Sequence, residues 1–133
     1  MASYQRILQT PPEEPRALEL WLQHAAGQIL FEDVRAYALE KMASGLSEEA
    51  HAAAEKGIND ALYGLMMVID GVSGTLANQV QHVELNVQAR LVDSQRSNVV
   101  AAIDLKDGDG MCMGYHGWLE GDFGAYPVVA PKA

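Results

Sequence analysis

The sequence predicts an α+β protein. N-terminal helices, including one long helix over about 47–71, pack on one face of a C-terminal antiparallel β-meander of three to four strands. Three observations carry this. Apolar residues recur every three to four positions through the first half of the chain. From Gln81 onward they recur every second position. The chain has 133 residues, 49% of them hydrophobic, which suits one domain with a real core. Residues 1–11 read as an N-terminal arm. Residues 12–133 read as a single domain, helical over about 12–73 and strand-rich over about 79–130.

The first helical segment runs from about Glu14 to Ala43. Thr10-Pro11-Pro12-Glu13-Glu14-Pro15 places proline and acid where a first turn tolerates them. Leu18, Leu22, Ala25 and Ile29 fall at helical spacing. Beyond Gly27 the phase shifts, and Leu30, Val34, Ala38 and Met42 form a second stripe. Two helices, or one bent near Gly27, are expected, since glycine costs about 1 kcal/mol in a helix interior. Gly45 reads as the closing cap.

The next helix has Ser47 as N-cap and Glu48 and Glu49 in the first turn, where the helix dipole favours anions. Ala50, Ala54, Ile58, Ala61, Leu65, Ile69 and Val72 follow as one apolar face, expected to point into the core. Leu62 and Met66 widen it, and Gly71 and Gly74 end it.

Val83, Leu85, Val87, Ala89 and Leu91 alternate with polar residues as a half-buried strand. Val99, Ala101, Ile103 and Leu105 give its hairpin partner. Pairing Leu91 with Val99 sets Glu84 against Lys106, an opposite-charge cross-strand contact. Asp107-Gly108-Asp109-Gly110 reads as a tight turn. Met111, Met113 and Tyr115 are then expected on a third strand. Ala125 to Ala130 reads as a short edge strand, restricted to an edge by Pro127.

Composition limits function. Eighteen acidic against nine Lys and Arg side chains give a formal charge of −9. That argues against nucleic-acid binding, which needs cationic excess to neutralise phosphates. The single cysteine, Cys112, excludes an internal disulfide framework and a Cys-rich zinc module. No apolar run suits a signal peptide or a membrane span, so a soluble cytoplasmic protein without membrane association is expected.

Catalytic templates fail in turn. Glu48 and His51 form an E-x-x-H pair with Glu55 one turn on, but the second copy and extra carboxylates of a di-iron bundle are missing. The Asp104, Asp107, Asp109, Gly110 run resembles a calcium loop only until aligned: Leu105 would fall at position 1 and His116 at position 12. Cys112 and His116 would be adjacent on a helix but about 13 Å apart on the expected strand, out of hydrogen-bond reach. No P-loop, G-x-S-x-G or G-x-G-x-x-G motif occurs. No cofactor and no metal are expected.

The segment from Gly114 to Phe123 combines rings, acids and glycines. Aromatics on a loop-rich rim serve as interface anchors, and surrounding acids steer toward a basic partner. The expected partner-binding residues are therefore Asp104, Asp107, Asp109, His116, Trp118, Glu120 and Asp122. The leading expectation is a non-enzymatic interaction module, most concretely a small acidic bacterial immunity or antitoxin-like protein masking a basic partner such as a toxin. The first alternative is a small metal-dependent or ligand-binding enzyme using Glu48, His51 and Glu55. The second is a homo-oligomeric structural subunit, paired through the alanine-rich helices or the edge near Val128.

Overall fold

Glu14 starts the first helix: its carboxylate accepts from the Arg16 and Ala17 amides at 3.0 and 2.7 Å, with Pro15 at the first helical position. The structure is a computed structural model that describes residues 6–72 and 76–129. Residues 1–5 of the arm, Gly74 and Ala130 lie outside the described residues. The fold is α+β. The elements are α1 (Pro15–Gln28), a π-helical segment (Ile29–Val34), α2 (Arg35–Glu40), α3 (Glu48–Ile69), β1 (Leu76–Ala77), β2 (His82–Val83), β3 (Gln88–Asp93), β4 (Asn98–Asp104) and α4 (Met111–Leu119). No helix among the described residues is long and apolar enough to cross a membrane.

The phase shift near Gly27 has a cause other than a glycine bend. Helical backbone runs through Gly27 to Gln28, and the six residues Ile29–Val34 form wider π turns. A π segment accommodates an extra residue, which displaces the apolar stripe. It leaves Arg35 facing α3, where the guanidinium donates to Asn59 Oδ1 at 2.8 Å and Glu55 Oε1 at 2.9 Å.

Ser47 caps α3 through the Ala50 amide at 3.1 Å. The stripe that periodicity assigns to the core largely faces outward instead. Ala50, Ala61, Leu65 and Val72 are exposed, Ala54 and Ile58 are half-buried, and only Ile69 is buried. The inward face is Leu62, Met66 and Ile69. The helix docks there through polar anchors that a hydrophobicity pattern cannot weigh: the Arg35 bonds, and Tyr115 Oη donating to the Asn59 carbonyl at 2.6 Å.

Among the described residues the strands make two separate two-stranded antiparallel sheets, not one meander. The pair β1–β2 forms an exposed arm, and Val83 and Leu85 are exposed rather than half-buried. In β3–β4, Ala89 pairs with Ile103 and Leu91 with Ala101, so odd residues face odd ones through Leu91, while Val92 pairs with Val99 and Asp93 with Asn98. The register is two residues from the expected one, with an irregularity between Leu91 and Val92. The Glu84–Lys106 ion pair is present at 3.6 Å. Val129 forms an isolated antiparallel bridge with Leu8 rather than an edge strand.

Residues 111–119 are the main correction: they are helix α4, not a third strand. Gly110, at φ +85°, turns the chain, and Asp70 at the C-terminal cap of α3 supplies the N-terminal cap from outside. Its two carboxylate oxygens accept from the Met111 and Cys112 amides at 2.7 and 2.9 Å. Met111, Tyr115 and Trp118 are buried at helical spacing, while Met113 is exposed. Packing thereby overrides the low propensity of Gly114 and Gly117. The core gathers Trp21, Leu22, Leu62, Met66, Leu105, Met111, Tyr115 and Trp118 between the helices and the β3–β4 pair.

Candidate functional site

Leu105 is buried, and its amide donates to the Val87 carbonyl at 2.8 Å. That anchor delivers the following acids to the surface beside α1. The Asp107 amide donates to the Asp104 carbonyl at 2.9 Å, closing a turn. Gly108 and Gly110 carry φ of +82° and +85°, values that L side chains rarely adopt. From α1, Arg16, Glu19 and Gln23 share one face at helical spacing and meet this turn. Arg16 bridges Glu19 and Asp109, at 3.4 and 2.6 Å.

Between α1 and the turn lies a cleft of about 330 Å³, lined by Glu19, Gln88, Ala102, Ile103, Asp104, Asp107 and Gly108. Gln88 Nε2 reaches Asp104 Oδ1 at 3.4 Å. Three carboxylates therefore surround an open space with no cation among its lining residues. Beneath Gly108 sits Gln23, 2% exposed. Its Nε2 donates to the Gly110 carbonyl at 2.6 Å. Its Oε1 is buried and unpartnered among the described residues, and lies 3.4 Å from where a Gly108 Cβ would stand. An unsatisfied buried carbonyl costs about 1–3 kcal/mol. The three carboxylates let the cleft receive a cationic hydrogen-bond donor, and the neighbouring Arg16 already shows a guanidinium shared between Glu19 of the cleft and Asp109 at its rim.

The expected partner-binding residues divide. Asp104 and Asp107 line the cleft, and Asp109 sits at its rim with Arg16. Glu120 and Asp122 are exposed beyond the end of α4, and the charges of both Asp122 and Asp109 are felt at His24. His116 is exposed, with its ring 5.4 Å from that of Tyr63. Trp118 is a correction. It is 1% exposed, stacked on Phe123 at 6.3 Å, and donates from Nε1 to His24 Nδ1 at 3.0 Å. A ring enclosed in this way supports the core and offers no anchor to a partner. Arg16, Glu19, Gln23 and Gln88 were not singled out from sequence. One signal was present for Gln23: an amide lying beside Leu22 within the buried part of the α1 pattern.

The other clusters carry less chemistry. Glu55 is held by Arg35, and His51 Nδ1 lies 3.9 Å from Glu55 Oε2. No group of three or more His, Cys, Asp or Glu able to hold a metal occurs among the described residues. Because residues 111–119 are helical, Cys112 and His116 do fall one turn apart. Burial and the Asp70 carboxylate push the Cys112 thiol up, the reverse of what activates a nucleophile. Comparisons with protein-family models, with curated proteins and with solved structures find no match to this chain.

Proposed function

We propose that this chain is a non-enzymatic protein-interaction module that masks a basic surface of a partner protein, in the manner of an immunity or antitoxin-like inhibitor. The observation that carries the reading is the acidic cleft: Glu19, Asp104 and Asp107 ring an open space with no cation among its lining residues. A guanidinium or ammonium group from the partner is its natural occupant. Arginine fits best, because its planar fork can engage two carboxylates at once. Asp109, Glu120 and Asp122 extend the negative field and steer the encounter. Asp107, Glu120 and Asp122 stand exposed for this, while Trp118 serves the site only through the core.

A titration with methylguanidinium and with an arginine-rich peptide at low salt, followed by NMR, tests this. Saturable shifts are expected at the Gln23 side-chain amide and at Gly108. They should weaken with added salt and disappear in Asp104→Asn/Asp107→Asn. Shifts that are non-saturable, or unchanged in that variant, would remove the cleft from the interface.

A further inference from the structure

Helix α3 is apolar toward the core and also toward solvent. Ala50, Ala53, Gly57, Ala61 and Leu65 are all exposed. At 100° per residue they occupy an arc of about 120°. Every charged side chain of the helix lies off that arc. A surface helix normally turns charged or polar residues to solvent over an arc of this width. Just beyond its end stand Val72 and the β1–β2 arm, with Leu76, Val80 and Val83 at 72%, 86% and 67% exposure. A lone two-stranded hairpin is marginally stable in water, so this arm too needs a surface to rest on.

We infer that the outer face of α3 pairs with its counterpart on a second copy of this chain, antiparallel about a two-fold axis near Gly57. Four features favour a second copy over a basic partner. The arc contains no acid to attract a cation, and no acid to repel another chain of charge −9. Ala53, Gly57 and Ala61 form one ridge of small residues, and a Gly57 Cβ would meet nothing within 4 Å, so two backbones can approach closely. Antiparallel helices set opposite dipole ends beside each other. The C-terminal end of one α3, carrying Val72 and the arm, then lies toward the N-terminal end of the other, so each arm covers apolar surface on its partner, as an isologous interface requires. The arc and arm together offer on the order of 700 Å² of apolar surface per chain, near the roughly 800 Å² each partner contributes to a standard interface.

Light scattering after size exclusion, across concentration, tests this on the full chain. The chain and Ala52→Glu are expected at twice the chain mass. Gly57→Glu is expected at the monomer mass, with its dimer dissociation constant raised at least tenfold. Glutamate is a better helix former than glycine and enters open space at Gly57, so unchanged far-UV circular dichroism should accompany the loss of pairing. Ala52→Glu adds the same charge on the opposite side of the helix. A monomer at roughly 100 μM chain, or a Gly57→Glu variant that stays dimeric, would overturn the inference. Either result leaves the acidic cleft untouched, because its residues lie on α1, on β3 and β4 and in the turn that follows β4.

Discussion

Gly27→Ala should destabilise the protein even though alanine is the better helix former. In an exposed helix the exchange gains about 1 kcal/mol. Here the new Cβ would overlap the Trp118 indole, with Cε2 at 2.5 Å and Cζ2 and Cη2 in contact. The ring has little room to yield. A Cβ at Gly114 would itself stand 2.5 Å from Cζ2, so glycine backbone hems the indole on α4 as well. Phe123 stacks on it at an interplanar angle of 10°, and His24 accepts from Nε1 at 3.0 Å. Moving the ring forfeits a hydrogen bond of about 0.5–1.5 kcal/mol and an aromatic contact of similar size. Leaving it in place costs the ~1–3 kcal/mol of overpacking. Against the propensity gain, the net loss is about 1 kcal/mol. With a urea dependence of about 1–2 kcal/mol per molar for a chain of this length, the midpoint should fall by roughly 0.5–1 M. Gly64→Ala is the matched control. Its Cβ meets nothing within 4 Å, so a gain of about 0.5–1 kcal/mol is expected at dilutions where the chain is monomeric. A Gly27→Ala midpoint equal to or above that of the parent would refute the account of Trp118 packing.

Asp70→Ala should cost about 1–2 kcal/mol, because two amides at the start of α4 lose their acceptor. The same variant should alkylate faster at Cys112, whose thiol the carboxylate helps hold protonated; an unchanged iodoacetamide rate would contradict this. Burial holds the His24 imidazole below its ordinary value, against the opposing pull of Asp122 and Asp109. The unfolded chain therefore takes up the proton first, and stability should be fully present above about pH 6.5 and fall as pH drops through the folded value. Urea midpoints between pH 8 and pH 5 measure it, and the Trp118 indole N–H resonance should shift over the same range. His24→Gln should flatten the slope, and an equal slope in that variant would place its origin in other groups.

The elements that declare themselves by local chemistry were legible: the Ser47 cap with Glu48 and Glu49, the length of α3, the odd-to-odd pairing of β3 and β4 through Leu91, and the Glu84–Lys106 contact. What escaped depends on partners distant in sequence. Met111, Tyr115 and Trp118 fit a helical period, while Met111, Met113 and Tyr115 fit a strand equally well. The choice rests with Asp70, forty-one residues upstream of Met111, which caps the helix. The outward turn of the α3 stripe follows from bonds at Asn59 and Glu55 that hydrophobic spacing ignores. In the candidate site, Asp104, Asp107 and Asp109 could be read as a charged turn. Glu19 and Gln23 join them only through the packing of α1 on that turn, and Trp118 looked like a surface ring because its glycine neighbours suggested a loop rather than room for an indole.

The π turns after Gly27 have a consequence for how the N-terminal helices tolerate changes in length. Wider turns hold one more residue than the α-helix they interrupt. Deleting one residue from Ile29–Val34 would let regular α-helix run through with the rotation of α2 relative to α1 kept, whereas regular α-helix over all six residues would rotate everything beyond it by about 100° relative to α1. Arg35 would swing off Asn59 and Glu55, and Arg6 would lose the alignment that now lets it hold Glu32 and Asp33 at 3.0 Å each. The segment thus works as a vernier between two helical stretches, taking up one residue without turning the second stretch away from its partners.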